Sequence, residues 1–75
     1  MIGAIDKELA RRLRLARHRE KMTAEEVAGL SGLGVQSYKL GENGERRFRA
    51  AELHRITKVL NWSLSDLFRD LPTRV

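Results

Sequence analysis

Apolar residues recur along this chain at spacings of three and four, and no stretch alternates as a strand would. The pattern divides into five short helical segments. Helix 1 is predicted from Asp6, a favourable N-cap, to about Glu20. Leu9, Leu13 and Ala16 form its inward stripe, Ile5 lies at the start of that stripe, and Arg11, Arg14, His18 and Arg19 fall largely outside it. Leu15 also falls off the stripe and reads as a scattered surface leucine, with a contact role as the alternative. Helix 2 starts at Thr23. Thr23 and Glu26 have the spacing of a capping box, and Met22 and Val27 that of a hydrophobic staple. It ends near Ser31–Gly32, where glycine tolerates the left-handed backbone of a sharp turn. Helix 3 is expected from about Gly34 through Leu40, with Gly41 and Gly44 bracketing its end. Helix 4 runs from about Ala50 to Leu60, with Leu53, Ile56, Val59 and Leu60 inward and Asn61 suited to a left-handed C-terminus. Helix 5 begins at Ser63 as N-cap, carries Asp66 at the positive end of its dipole and apolar Leu64, Leu67 and Phe68, and is stopped by Pro72.

Seventy-five residues are enough for one all-α domain, residues 1–75, with one small core. The absence of cysteine removes disulfides, a thiol nucleophile and cysteine-ligated zinc, and suits a reducing compartment. No apolar run approaches the ~20 residues of a membrane helix, and the first residues lack the apolar stretch of a secretion signal. A cytoplasmic protein is expected, with no membrane contact, metal or cofactor. A formal net charge of +5 suggests nucleic acid, an acidic partner or an anionic surface. Seven of the fifteen basic residues lie between Lys7 and Lys21, and Arg46, Arg47 and Arg49 form a second cluster.

The segment Thr23–Gly44, TAEEVAGLSGLGVQSYKLGENG, places two short helices around a tight turn, and its neighbours extend the pattern. Leu9, Leu13, Arg14, Ala16 and Arg17, then MTAEEVA, Gly32-Leu33, Glu42-Asn43-Gly44, and finally Ile56, Leu60, Ser63, Leu64, Leu67 and Phe68 follow one another in a familiar order. In these residues, from about Leu9 to Phe68, the chain resembles the Cro/cI-type (XRE-like) helix-turn-helix regulators. The resemblance implies a compact five-helix, lambda-repressor-like DNA-binding domain with its helix-turn-helix at about residues 23–44. Ala28 is then small because helices 2 and 3 cross closely, and Val27, Leu33 and Tyr38 face the core. Three positions depart from the family's habit. Ala24 stands where a phosphate-contacting glutamine is frequent, Lys21 where glycine is frequent, and Gly41 where a bulky apolar residue is usual. For Gly41, either Leu40 rotates inward or helix 3 ends a turn early.

Under this resemblance helix 3 enters the major groove and base contact falls to Val35, Gln36 and Lys39, with Leu40 in reach. The Gln36 carboxamide carries a donor and an acceptor together, which matches adenine N6 and N7; Val35 suits a thymine methyl and Lys39 a guanine edge or a phosphate. Phosphate contacts are expected from Gly34, Ser37, Asn43, Arg46, Arg47 and Arg49, with Arg11 or Arg14 of helix 1 as additions. The resemblance also implies a structural ion pair between Arg17 and Glu42. For each outward residue the plain alternative is a solvated helix face.

The function expected is sequence-specific binding of double-stranded DNA by a bacterial or phage-encoded homodimeric regulator acting as a repressor, without a small-molecule ligand. A protein-interaction module of the same fold, such as an antitoxin or co-regulator, is the alternative. An enzyme is not expected. His18 and His54 share no metal spacing, no serine has a nucleophile-elbow context, and His54 reads as a partly buried packing residue. A membrane-surface role for helix 1 ranks last, because its apolar stripe is narrow and the core needs it.

Overall fold

A computed structural model describes residues 3–71; Pro72 and the rest of the C-terminal segment lie outside the described residues. Five α-helices follow one another: α1 (Ala4–Arg19), α2 (Ala24–Leu30), α3 (Val35–Glu42), α4 (Ala50–Val59) and α5 (Leu64–Leu67). They pack pairwise, α3 against α1 and α2, α4 against α2 and α5, and α5 back on α1. The core they enclose is Leu9, Leu13, Ala16, Val27, Ala28, Tyr38, Phe48, Leu53, Ile56, Leu60 and Leu67. A radius of gyration of 11.4 Å marks the tight packing of so short a chain.

Local chemistry places the helix starts. Thr23 and Glu26 form the reciprocal capping box, the Glu26 N–H donating to Thr23 Oγ1 at 3.0 Å and the Thr23 N–H to Glu26 Oε1 at 2.8 Å. Ser63 caps α5 by accepting from the Asp66 N–H. The start of α1 differs from expectation. Gly3 is the N-cap and Asp6 lies one turn inside, where its carboxylate accepts from the Gly3 N–H. An aspartate three residues into a helix can bond back to the cap residue, so Asp6 acts at the right terminus from a different position. Ile5 is exposed rather than part of the stripe, and Ala10 is buried.

Four helix ends use the same device. After α1, α2, α3 and α4, Lys21, Gly32, Gly44 and Asn61 adopt positive φ of 56°, 72°, 77° and 54°. In each case that residue's N–H donates three residues back and the next N–H donates five back, as in Lys21→His18 and Met22→Arg17, or Gly32→Gly29 and Leu33→Ala28. This Schellman pattern satisfies orphan carbonyls and reverses the chain sharply. Lys21 therefore adopts the backbone that glycine would adopt without strain. Left-handed geometry costs a non-glycine residue about 1–2 kcal/mol, and glycine returns part of that as extra freedom in the unfolded chain. Lys21→Gly is expected to raise stability by about 0.5–1 kcal/mol, measured as an upward shift of the thermal midpoint. An unchanged or lower midpoint would mean that Lys21 makes a compensating contact.

α3 runs to Glu42, so neither proposed fate of Gly41 holds. Gly41 lies inside the helix, and Leu40 stays outside, 42 % exposed. The missing side chain is supplied from the following loop by Phe48, whose ring lies over Gly41. A Cβ on Gly41 would meet Phe48 Cε1 at 2.6 Å and Cε2 at 2.7 Å. The same ring packs tilted against Tyr38, centroids 5.8 Å apart. His54 is exposed, not a packing residue; the buried polar positions of α4 are Glu52 and Thr57. Leu64 is half-buried, and Phe68 is 43 % exposed.

Candidate nucleic-acid interface

The α2–turn–α3 unit is braced from below by Val27, Ala28 and Tyr38, all fully buried, with Leu33 half-buried beside them. The 2.8 Å bond from the Leu33 N–H to the Ala28 carbonyl closes the turn over the small Ala28 side chain. Fixing the inner face of α3 leaves its opposite face outward. Val35, Gln36, Lys39, Leu40 and Asn43 are all exposed and recur at the spacing of one helix face. Ser37 is half-buried, and exposed Gly34 is the N-cap of α3.

Lys39 is not isolated. Its Nζ lies 2.9 Å from Glu25 Oε2 in the first turn of α2, and this contact holds the Glu25 carboxyl below the usual carboxylate range. Both partners are well exposed, so solvent screens the pair, it contributes little to stability, and it opens readily. Glu25 was not apparent as a site residue because the pair joins positions fourteen apart, across the turn, beyond the i, i+4 reach of one helix.

A second outward feature flanks the end of α3. Lys7, Arg11 and Arg14 on one side of α1 face Asn43 and Gly44 across a shallow cleft of about 270 Å³. Arg11 also pairs with Glu8 at 2.7 Å, and hydrogen bonds from Arg11 and Arg12 hold Glu8 down at about 2. The loop arginines divide by role. Arg47 and Arg49 are exposed, with Arg47 Nε 3.2 Å from Asp6. Arg46 is turned inward, its Nη2 donating to Glu52 at 2.8 Å while its guanidinium lies 5.9 Å from the Phe48 ring centroid. Its geometry is that of a clamp between loop and α4. Glu52 also accepts the Arg49 N–H at 2.8 Å, so one buried carboxylate ties the middle of the loop to its junction with α4. Burial works against its charge, but the Arg46 and Arg49 hydrogen bonds outweigh it and hold its pKa below the ordinary value.

Behind the outward face of α3, Arg17 Nε and Nη2 donate to the two carboxylate oxygens of Glu42 at 2.7 and 2.8 Å. Arg17 Nη1 also donates to the Met22 carbonyl at 2.9 Å. The buried Tyr38 hydroxyl donates to Glu42 Oε2 at 2.7 Å and completes a three-residue network. Burial, then the Glu42 hydrogen bond, pushes the Tyr38 phenol well above its ordinary value. The Tyr38–Glu42 spacing of four on one helix was the available signal for this third member. The network locks the end of α3 to α1, so the outward face is presented at a fixed angle.

Among the described residues no three histidine, aspartate or glutamate side chains gather in a group that could hold a metal, and no helix is long and apolar enough to cross a membrane. A family model described as a helix-turn-helix domain matches residues 8–68 of the chain. No curated protein matches it.

Proposed function

The chain belongs to the helix-turn-helix domain family, in its XRE/Cro-like type, and on that basis we propose that it is a cytoplasmic, sequence-specific DNA-binding repressor whose one domain reads the major groove with α3. The single observation that carries this reading is the exposed α3 face of Val35, Gln36, Lys39, Leu40 and Asn43, set on a rigidly packed inner face. Gln36 supplies the adenine-type contact and Val35 meets a thymine methyl. Lys39 leaves Glu25 to reach a base or phosphate, an exchange whose small cost favours only sites that repay it. Gly34, Ser37, Asn43, Arg47 and Arg49 hold the phosphates, joined by Lys7, Arg11 and Arg14 along α1. Arg46 supports that grip indirectly by holding the loop. One domain covers a half-site, so control of a gene calls for a homodimer on a two-fold operator.

Two substitutions test the docking. Gln36→Ala is expected to cost on the order of 1–3 kcal/mol of specific binding and to relax preference at one base pair, whereas Arg47→Ala weakens all sequences about equally and lowers the salt slope by about one unit. The measurement is a salt-dependent mobility shift on a selected operator with competitor DNA. Unchanged specificity in Gln36→Ala would place α3 in a different register.

One observation favours a second reading, a protein-interaction module of the same fold. Leu30 is 69 % exposed at the end of α2, and Val35 and Leu40 of α3 are exposed as well. Weak, non-specific retention of DNA by the wild type, with no operator emerging from selection, would support that reading over the repressor.

A further inference from the structure

A cleft of about 310 Å³ opens between α1 and α5, on a different side of α1 from the basic groove beside α3. Its apolar part is Leu15, 51 % exposed, together with Ala16 and the half-buried Trp62. Leu15 thus shares an open cleft with Trp62. The charges around it have both signs. Arg12 is committed within the fold, donating to Glu8 and to the Leu67 and Arg69 carbonyls. Arg69 is closed on Asp66 at 2.7 Å. Two charges remain without an ion-pair partner among the described residues: Arg19, whose guanidinium lies 5.5 Å over the Trp62 ring, and Asp70.

An apolar centre with an aromatic anchor and a charged rim is the anatomy of a protein–protein contact. The rim identifies the partner. A uniformly acidic or basic surface would meet one favourable and one repulsive charge. A second copy related by a two-fold axis can avoid the conflict, because the symmetry can set each unpaired arginine against an unpaired aspartate, and the contact then occurs twice. A standard interface covers about 800 Å² per partner, roughly a sixth of the 5011 Å² that this domain exposes. We propose that the α1–α5 cleft is the homodimer interface, filled by the same cleft of a second copy, with Leu15 and Trp62 at its centre and Arg19 of each chain against Asp70 of the other. The proposal deepens the dimer part of the repressor reading, and the cleft shares no residue with the outward face of α3.

The test needs no DNA. Sedimentation over a dilution series should show a wild-type dimer. Arg19→Asp alone and Asp70→Arg alone should each be monomeric, because each places two like charges across the axis. An equimolar mixture of the two variants should regain the dimer as a mixed species, since both contacts then join opposite charges. Leu15→Glu, at an exposed helical position that tolerates the change, checks the apolar centre should Asp70→Arg fold poorly, and is expected to weaken dimerisation at least about tenfold. A monomeric wild type, single variants that stay dimeric, or a mixture that stays monomeric would each overturn the interface. A monomeric wild type that still selects an operator overturns the interface and leaves the DNA reading standing. A dimer that obeys the charge swap but selects no operator does the reverse.

Discussion

Glu42→Ala is expected to cost on the order of 3 kcal/mol of folding stability, because it leaves a buried guanidinium and a buried phenol without their common acceptor. Glu42 is 6 % and Arg17 12 % exposed, so water replaces little of what is lost. For a domain of this size that loss lowers the thermal midpoint by about 12–24 °C. The pH dependence follows from the same carboxyl. Burial raises the pKa of Glu42, but hydrogen bonds from Arg17 and Tyr38 outweigh it and hold the group below its ordinary value of 4.5. A carboxyl depressed in the folded state contributes stability that is fully present above its unfolded pKa. That stability is lost as the pH falls through the folded pKa. Wild-type stability should therefore be flat above about pH 5 and fall below it, and Glu42→Gln should flatten part of that fall. Chemical denaturation across pH measures both. An alanine variant within 1 kcal/mol of wild type would show that solvent satisfies the two donors, contrary to their burial.

Gly41→Leu should be nearly as damaging, although it restores the apolar side chain usual in the family at this position. A glycine-to-alanine change inside a helix ordinarily stabilises by about 1 kcal/mol. Here the first added carbon already overlaps three atoms of the Phe48 ring, which is only 9 % exposed and flanked by Tyr38 and Arg46. Overpacking of this kind costs about 1–3 kcal/mol and outweighs the helical gain. Phe48→Ala alone opens a cavity and costs about 3–5 kcal/mol. In that background leucine at Gly41 fills the vacated space, so the double variant should be more stable than Phe48→Ala by itself. Non-additivity of this sign is what contacting residues produce. If leucine were equally harmful with and without Phe48, the ring would not be the partner of Gly41.

These two sites mark where sequence reasoning stops. Arg17–Glu42 entered through a resemblance, with the tyrosine left out, although Tyr38 and Glu42 stand one helical turn apart. Gly41 looked like a defect because its compensation comes from Phe48, seven residues on and outside the helix. The outward face of α3 was legible because Tyr38 and its neighbours determine which side of the helix turns in, and the exposed residues follow by geometry. Arg46 and Arg47 look alike in sequence, and only the placement of Glu52 turned one inward. Asp6 and His54 were misplaced for a related reason, since a residue's type does not reveal its depth or its exact position at a helix end.

What the sequence determined by itself lies among contacts within about five residues. Thr23 and Ser63 start helices, Gly32 and Gly44 end them, Asn61 takes the left-handed turn, and spacings of three and four choose the buried stripe. Tertiary structure alone decided which side chains meet across elements: Phe48 over Gly41, Glu25 against Lys39, Arg46 between Glu52 and Phe48, and the α1–α5 cleft around Trp62. The physical reason is range. A cap or a turn is an interaction of the chain with its own near neighbours, so it can be read in order. A packing contact depends on how five helices settle against one another, and no local pattern encodes that distance.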